Sequence, residues 1–191
     1  MSKEFKAHLN KFISINDDKF TDIISFFKTQ TVAKKEEILS EGQICNSNYF
    51  VLNGILRKYF INKKGGEQTT QFAIENWWMT DDFAYENKTE TEFFIKAVEK
   101  TKLLVINRDE QDKLLEQHPI MEKYFRHIYQ IAYAATQRRI KFTYDMSKEE
   151  LYHFFVKAQP QFFQRVPQYL IASYLDFTPE YLSEIRKKGI S

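Results

Sequence analysis

Apolar and polar positions alternate in three different ways along this chain. Asn16-Asp17 precede a stripe of Phe20, Ile23, Ile24 and Phe27, the i, i+3, i+4, i+7 spacing of a capped amphipathic helix. From Thr31 to about Ile106, short runs rich in β-branched and aromatic residues take over. They are Tyr49 to Leu52, Ile55 to Ile61, Thr69 to Ile74 and Lys102 to Ile106. Glu41-Gly42, Asn53-Gly54 and Lys63-Lys64-Gly65-Gly66 separate them, and such glycines supply the positive φ of tight turns. Many short strands with regular turns predict a β-sandwich or jelly roll.

Helical spacing returns at Arg108. Asp109 to Gln117 predicts a short helix ended by Pro119. Ile120 to about Tyr144 lacks Gly and Pro, which predicts one helix of about 25 residues and roughly 37 Å. Met121, Tyr124, Ile128, Ile131, Ala135 and Phe142 follow a near-heptad spacing along it. The favoured expectation is a homodimer through this Met121 to Phe142 helix, paired across a two-fold axis; the alternative packs it wholly onto the barrel. Ser147 and Glu150 form a capping box opening a helix through Leu151, Phe154, Phe155 and Ala158, stopped by Pro160. Gln159 to Arg165 is expected to be a link with room for a short hairpin. The fold class is α+β, divided as 1–118 barrel, 119–146 helix and 147–191 C-terminal module.

The tail carries the sharpest signal. Ile171, Leu175, Phe177, Leu182 and Ile185 fall where two helices crossing at a tight turn need apolar contacts, with small Ala172 at the closest approach. Thr178-Pro179 starts a new helix three residues after Leu175. This is helix-turn-helix spacing, in which the second helix enters the DNA major groove. An ordinary helical hairpin has the same spacing; the basic Arg186-Lys187-Lys188 end favours DNA. Pro179, Glu180, Tyr181, Glu184 and Lys188 are the groove-side candidates. Arg186 and Lys187 flank them as phosphate contacts, while Arg165 and Gln168 reach the backbone from the preceding segment. The Thr178 hydroxyl and the helix N-terminus suit a phosphate.

Composition sharpens this only slightly. The net charge of the 191 residues is +2, but from Met121 onward 11 Lys/Arg stand against 7 Asp/Glu, a net of +4. A mildly basic C-terminal third suits a polyanion. The N-terminal MSKEFKAHLNKF is charged throughout, and no apolar run approaches the roughly 18 to 20 residues that span a bilayer, so a cytoplasmic protein with no membrane partner is expected. Single Cys45 excludes an intrachain disulfide and a Cys cluster. It would sense oxidation only if exposed.

The order of barrel, long helix and helix-turn-helix resembles the Crp/Fnr family of bacterial transcription regulators. Lys35 to Gly42 followed by Tyr49 to Gly54 is similar to that family's opening barrel strands with two turn glycines. Ala97-Val98-Glu99, Leu104-Val105-Ile106 and Leu114 to Pro119 resemble the strands and short helix before its dimer helix, and Val166 to Lys188 its helix-turn-helix. The aromatic-rich style is similar to Bacteroidetes-type members. The resemblance implies a cyclic-nucleotide-binding-like domain, a DNA-binding domain and double-stranded DNA as partner. Asp176 stands where the family's turn usually has glycine, and Asp tolerates the left-handed conformation. Glu184 stands where relatives often have arginine, which predicts weak or unusual DNA specificity. No β-wing is expected after the last helix.

One segment departs from the family pattern. Cyclic-nucleotide binders grip the phosphate with an Arg-Ser or Arg-Thr pair after a glycine- and glutamate-bearing turn. Here Trp77 to Phe94 has neither arginine nor glycine and offers Asp81, Asp82, Glu86, Glu90 and Glu92. Carboxylates repel a phosphate, so cyclic AMP is not expected. Trp77, Trp78, Asp81, Asp82, Phe83, Tyr85, Glu92 and Phe93 are the candidate pocket for another small-molecule effector; the competing expectation makes the aromatics core filling. His8, His118, His127 and His153 lack metal-ligand spacing and are expected on surfaces or helix faces, with no metal and no cofactor. No nucleophile elbow or phosphate-cradling glycine loop is present, which argues against an enzyme. The rival to a DNA-binding regulator is a sensor of a small ligand or protein whose tail has lost DNA affinity.

Overall fold

Strands form where β-branched and aromatic residues cluster, and the most apolar ones are covered on both faces. The computed structural model describes residues 3–188, with side chains through 187. It opens with α1 (Lys3–Leu9) and α2 (Asp17–Ile24), then β1 (Lys28–Val32), β2 (Glu37–Leu39), β3 (Ser47–Asn53), β4 (Leu56–Ile61) and β5 (Glu67–Ala73). There follow β6 (Trp78–Met79), α3 (Asp82–Asn87), β7 (Phe94–Ala97), β8 (Thr101–Asn107) and α4 (Arg108–Gln117). The chain continues through α5 (Ile120–Asp145), α6 (Lys148–Ala158), α7 (Pro160–Arg165), α8 (Gln168–Leu175) and α9 (Pro179–Lys188).

The strands make two four-stranded sheets, ordered β1-β8-β3-β6 and β2-β7-β4-β5. This is the expected α+β architecture with a jelly roll. In the β3–β8 pair Tyr49, Phe50 and Val51 lie opposite Val105, Leu104 and Leu103. Neighbouring residues of a strand point to opposite faces. Tyr49, Val51 and Leu103 therefore join Leu39, Leu56, Met79 and Ile95 in one core. Phe50, Leu104 and Ile106 face the other, formed with Phe5, Leu9, Phe20, Ile23, Leu114 and Tyr124 from α1, α2, α4 and α5. Burial on both faces is why these strands read as continuous apolar runs.

Gly54 closes the β3–β4 turn at φ +104, and a Cβ there would meet Thr101 Oγ1 at 2.5 Å and the Lys100 carbonyl oxygen at 2.9 Å. Asn16 caps α2 by accepting from the Lys19 amide, as its sequence predicts. Phe27 lies beyond α2 but is buried in the same core.

Three elements differ from the sequence expectation. The charged N-terminal segment forms α1, whose Phe5 and Leu9 are fully buried. Asp81 caps α3 within the candidate effector segment. Residues 160–165 are the helix α7 instead of a link or hairpin, because Pro160 both stops α6 and fits the start of a new helix.

The described chain divides into two compact units. The first holds residues up to Phe60 and Gln71–Gln130; the second holds Ile61–Thr70 and the chain from Ile131. In the second, Leu151, Phe162, Val166, Leu170, Ile171, Leu175, Phe177, Leu182 and Ile185 are buried. Phe142 of α5 packs on Phe154 of α6 with ring centroids 4.8 Å apart.

The near-heptad seam of α5 is not one exposed face. Met121, Tyr124 and Ile128 are buried in the first unit, because the outer face of the β3–β8 sheet needs an apolar cover and α5 begins there. The exposed large apolar residues of α5 are Ile120, Tyr129, Ile131, Tyr133, Ile140 and Tyr144. No helix among the described residues is long and apolar enough to cross a membrane.

Candidate nucleic-acid interface and effector segment

α8 is apolar where α9 crosses it. Ile171, Ala172, Leu175 and Phe177 are buried with Leu182 and Ile185 of α9. Between the helices Asp176 adopts φ 58 and ψ 46, the left-handed conformation its small polar side chain tolerates. The Phe177 amide donates to the Ala172 carbonyl at 2.8 Å, which ends α8 cleanly. Lys148, the first residue of α6, holds the turn by donating to the Asp176 carbonyl at 2.9 Å, with its ammonium 5.4 Å from the Phe177 ring centroid. Nothing local in the sequence marks Lys148 for this, since its partner lies 28 residues away.

Thr178 caps α9: its Oγ1 accepts from the Tyr181 amide at 3.2 Å. With Leu182 and Ile185 turned inward, 100° per residue directs Glu180, Glu184 and Lys187 to the opposite side. These three, with Thr178, Pro179, Tyr181 and Arg186, are exposed. The outward face is acidic near the start of α9 and basic near its end.

The effector candidates divide among three surroundings. Trp78 lies in the helix-covered core, where its Nε1 donates to the Tyr124 hydroxyl at 2.8 Å. Tyr85 lies in the core between the sheets, and its hydroxyl donates to Gln111 Oε1 at 3.2 Å. Burial pushes the Tyr85 phenol well above its usual range. Asp81 is buried as the cap of α3 and accepts from the Thr91 hydroxyl at 2.7 Å. Trp77, Phe83 and Glu92 keep exposed surface.

Phe93 is half-buried against Phe60 and beneath Lys58, whose ammonium lies 5.3 Å from its ring centroid. Lys58 is a buried cation that the sequence reading overlooked. It donates to the Thr80 carbonyl at 2.9 Å. Strand alternation gives it the same side of β4 as Leu56, and that was its only sequence signal. Asp82 keeps an exposed edge, yet desolvation raises its carboxyl, with Lys58 opposing and Asp81 reinforcing the shift. Cys45 is buried, 3.3 Å from Thr80 Oγ1, so it lacks the exposure that oxidation sensing requires.

Residues 29–118 match the family described as the cyclic nucleotide-binding domain. No curated protein matches the sequence. Among solved structures, FixK2 from Bradyrhizobium japonicum aligns with a TM-score of 0.70 and 15% identity over 85% of this chain and 83% of its own. A protein from Eubacterium rectale assigned to the Crp/Fnr family of transcriptional regulators gives 0.68 and 16%, over 91% and 83% of the two chains. The Thermus thermophilus Catabolite Activator Protein gives 0.57 and 18%, over 95% and 85%.

The chain has the Crp/Fnr fold.

Within that fold the remaining DNA candidates fall on different surroundings. Arg165 is exposed at the end of α7. Gln168 is half-buried, and its Oε1 is buried without a hydrogen-bond partner among the described residues. The side chain of Lys188 and residues 189–191, where no wing is expected, lie outside the described residues. The four histidines of this Crp/Fnr-fold chain are scattered, and His8, expected on a surface or helix face, is buried. Its position follows from α1, which the sequence reading did not predict. Among the described residues no group of three or more His, Cys, Asp or Glu gathers to hold a metal ion.

Proposed function

We propose that this chain is a cytoplasmic, dimeric DNA-binding transcription regulator of the Crp/Fnr type and not an enzyme. The observation that carries this reading is α9, whose Leu182 and Ile185 are buried while Glu180, Tyr181, Glu184, Arg186 and Lys187 remain exposed beyond a left-handed turn at Asp176. In a dimer, two copies of α9 enter major grooves about one helical turn, roughly 34 Å, apart. Pairing runs through α5, where Tyr129, Tyr133, Ile140 and Tyr144 are exposed and fall within about 60° of one another around the helix.

We infer further that the effector, where one acts, is not cyclic AMP. Asp81 and Asp82 bring carboxylates to the segment that would face its phosphate, and the Thr91 hydroxyl is already engaged by Asp81. A mobility shift on a palindromic promoter fragment tests the main reading. Binding at low salt that weakens as salt rises supports it, and no binding at low salt sinks it. The two exposed glutamates of α9 favour one other reading, a ligand or protein sensor whose tail no longer holds DNA. Under that reading the mobility shift stays negative while the purified dimer persists.

A further inference from the structure

The hairpin between β4 and β5 lies inside the stretch that matches the cyclic nucleotide-binding domain, yet residues Ile61–Thr70 group with the chain from Ile131. A set of hydrogen bonds centred on Ser173, in the last turn of α8, joins this hairpin to that helix. Its hydroxyl donates to the Glu67 carbonyl at 2.7 Å and accepts from the Thr69 amide at 2.8 Å. The Thr69 hydroxyl lies 3.2 Å away, and the Gln68 side-chain amide donates to the Ser173 carbonyl. Arg139 of α5 closes the arrangement. Its Nη1 donates to the Thr70 carbonyl at 2.6 Å and its Nη2 to the Tyr174 carbonyl at 2.7 Å. Its guanidinium carbon lies 3.8 Å from the Tyr174 ring centroid.

Three elements thus meet at two side chains. A planar guanidinium suits this task because its fork of donors serves two carbonyls at fixed angles while its face stacks on a ring. The hairpin is stiff at its far end too, where Asn62 Oδ1 accepts from the Lys64 amide at 2.9 Å and the Gly66 amide at 3.1 Å. The joint engages α8 and leaves the exposed residues of α9 uncovered.

We propose that Ser173 and Arg139 are positioning residues that fix the helix-turn-helix to the β4–β5 hairpin, so that displacement of β5 is felt at α8 and, through their shared core, at α9. This rests on the DNA-binding reading and adds the regulation of that interface. The test uses the full chain with Ser173→Ala, Arg139→Gln and Gln68→Ala, followed by hydrogen exchange of the peptide spanning residues 61–70 and by DNA affinity across salt. Exchange at 61–70 should quicken in all three variants. DNA affinity should fall about tenfold, the size of an ordinary coupling between sites. The salt slope should stay unchanged, because no phosphate contact is removed. Ser173→Thr, which keeps the hydroxyl, should restore both readouts.

Unchanged exchange at 61–70 overturns the joint. Quickened exchange with unaltered DNA affinity overturns its positioning role. Failure of the DNA-binding reading is distinguishable, since the unmodified chain then binds nothing at low salt and the positioning role falls with it. If Arg139→Gln fails to fold, Gln68→Ala and Ser173→Ala still read the hairpin's bonds to α8. Arg139→Lys, which keeps the charge without the fork of donors, then reads the contacts to the Thr70 and Tyr174 carbonyls.

Discussion

His8 is enclosed by Phe12, Phe50 and Tyr124, with ring centroids 5.3, 5.1 and 5.7 Å away, and neither ring nitrogen has a hydrogen-bond partner among the described residues. Burial, reinforced by Lys11, lowers its pKa from 6.5 to about 4. The unfolded chain therefore binds this proton first as pH falls. Its contribution to stability is complete above pH 6.5 and is lost progressively as pH drops toward 4. Urea unfolding of the parent chain and of His8→Phe across that window checks this: the variant should lose part of the parent's pH dependence. A second residue is constrained by geometry alone. Gly54→Ala combines positive φ with contacts under 3.0 Å to Thr101 and Lys100. It should cost about 2 kcal/mol in a denaturant titration.

Elements differ in how openly the sequence announces them. The Ser147–Glu150 capping box was legible and forms as written, because both partners lie within one turn. The pair α8 and α9, meeting at a tight turn, was legible for the same reason: Thr178, Pro179 and the apolar spacing are local signals. α1 and α3 were not, since each is a single turn or two whose apolar residues acquire meaning only against distant strands. For α9, charge is the testable property. Lys187→Ala should lower DNA affinity and reduce the magnitude of the log–log salt slope by about 1. Glu184→Gln should raise affinity at low salt by about twofold, because it removes an exposed carboxylate that would repel phosphate. A salt-series binding assay reads both.

For the whole molecule, α5 is shared between two demands. Its beginning covers the outer face of the β3–β8 sheet, which takes Met121, Tyr124 and Ile128 out of any seam between copies. Tyr133, Ile140 and Tyr144 remain exposed, at 66%, 47% and 88%, and a helix face this apolar favours a like partner. Tyr133→Arg combined with Ile140→Glu should leave the helical circular dichroism intact and halve the mass seen by light scattering. A parent chain that is monomeric at the same concentration would remove dimerisation from the proposed mechanism.

Local chemistry read along the chain was enough for the jelly roll, the long helix, the two crossing helices and the left-handed Asp176, because caps, turns and periodicity act within a few residues. The division of α5 into covered and exposed faces depended on which distant surface lacked apolar cover. The same holds for Lys58 beside Phe93, the dispersal of the effector candidates between two cores and exposed surface, and the bonding of the β4–β5 hairpin to Ser173 and Arg139. Those outcomes are contacts between residues far apart in sequence, and they exist only once the chain has closed on itself.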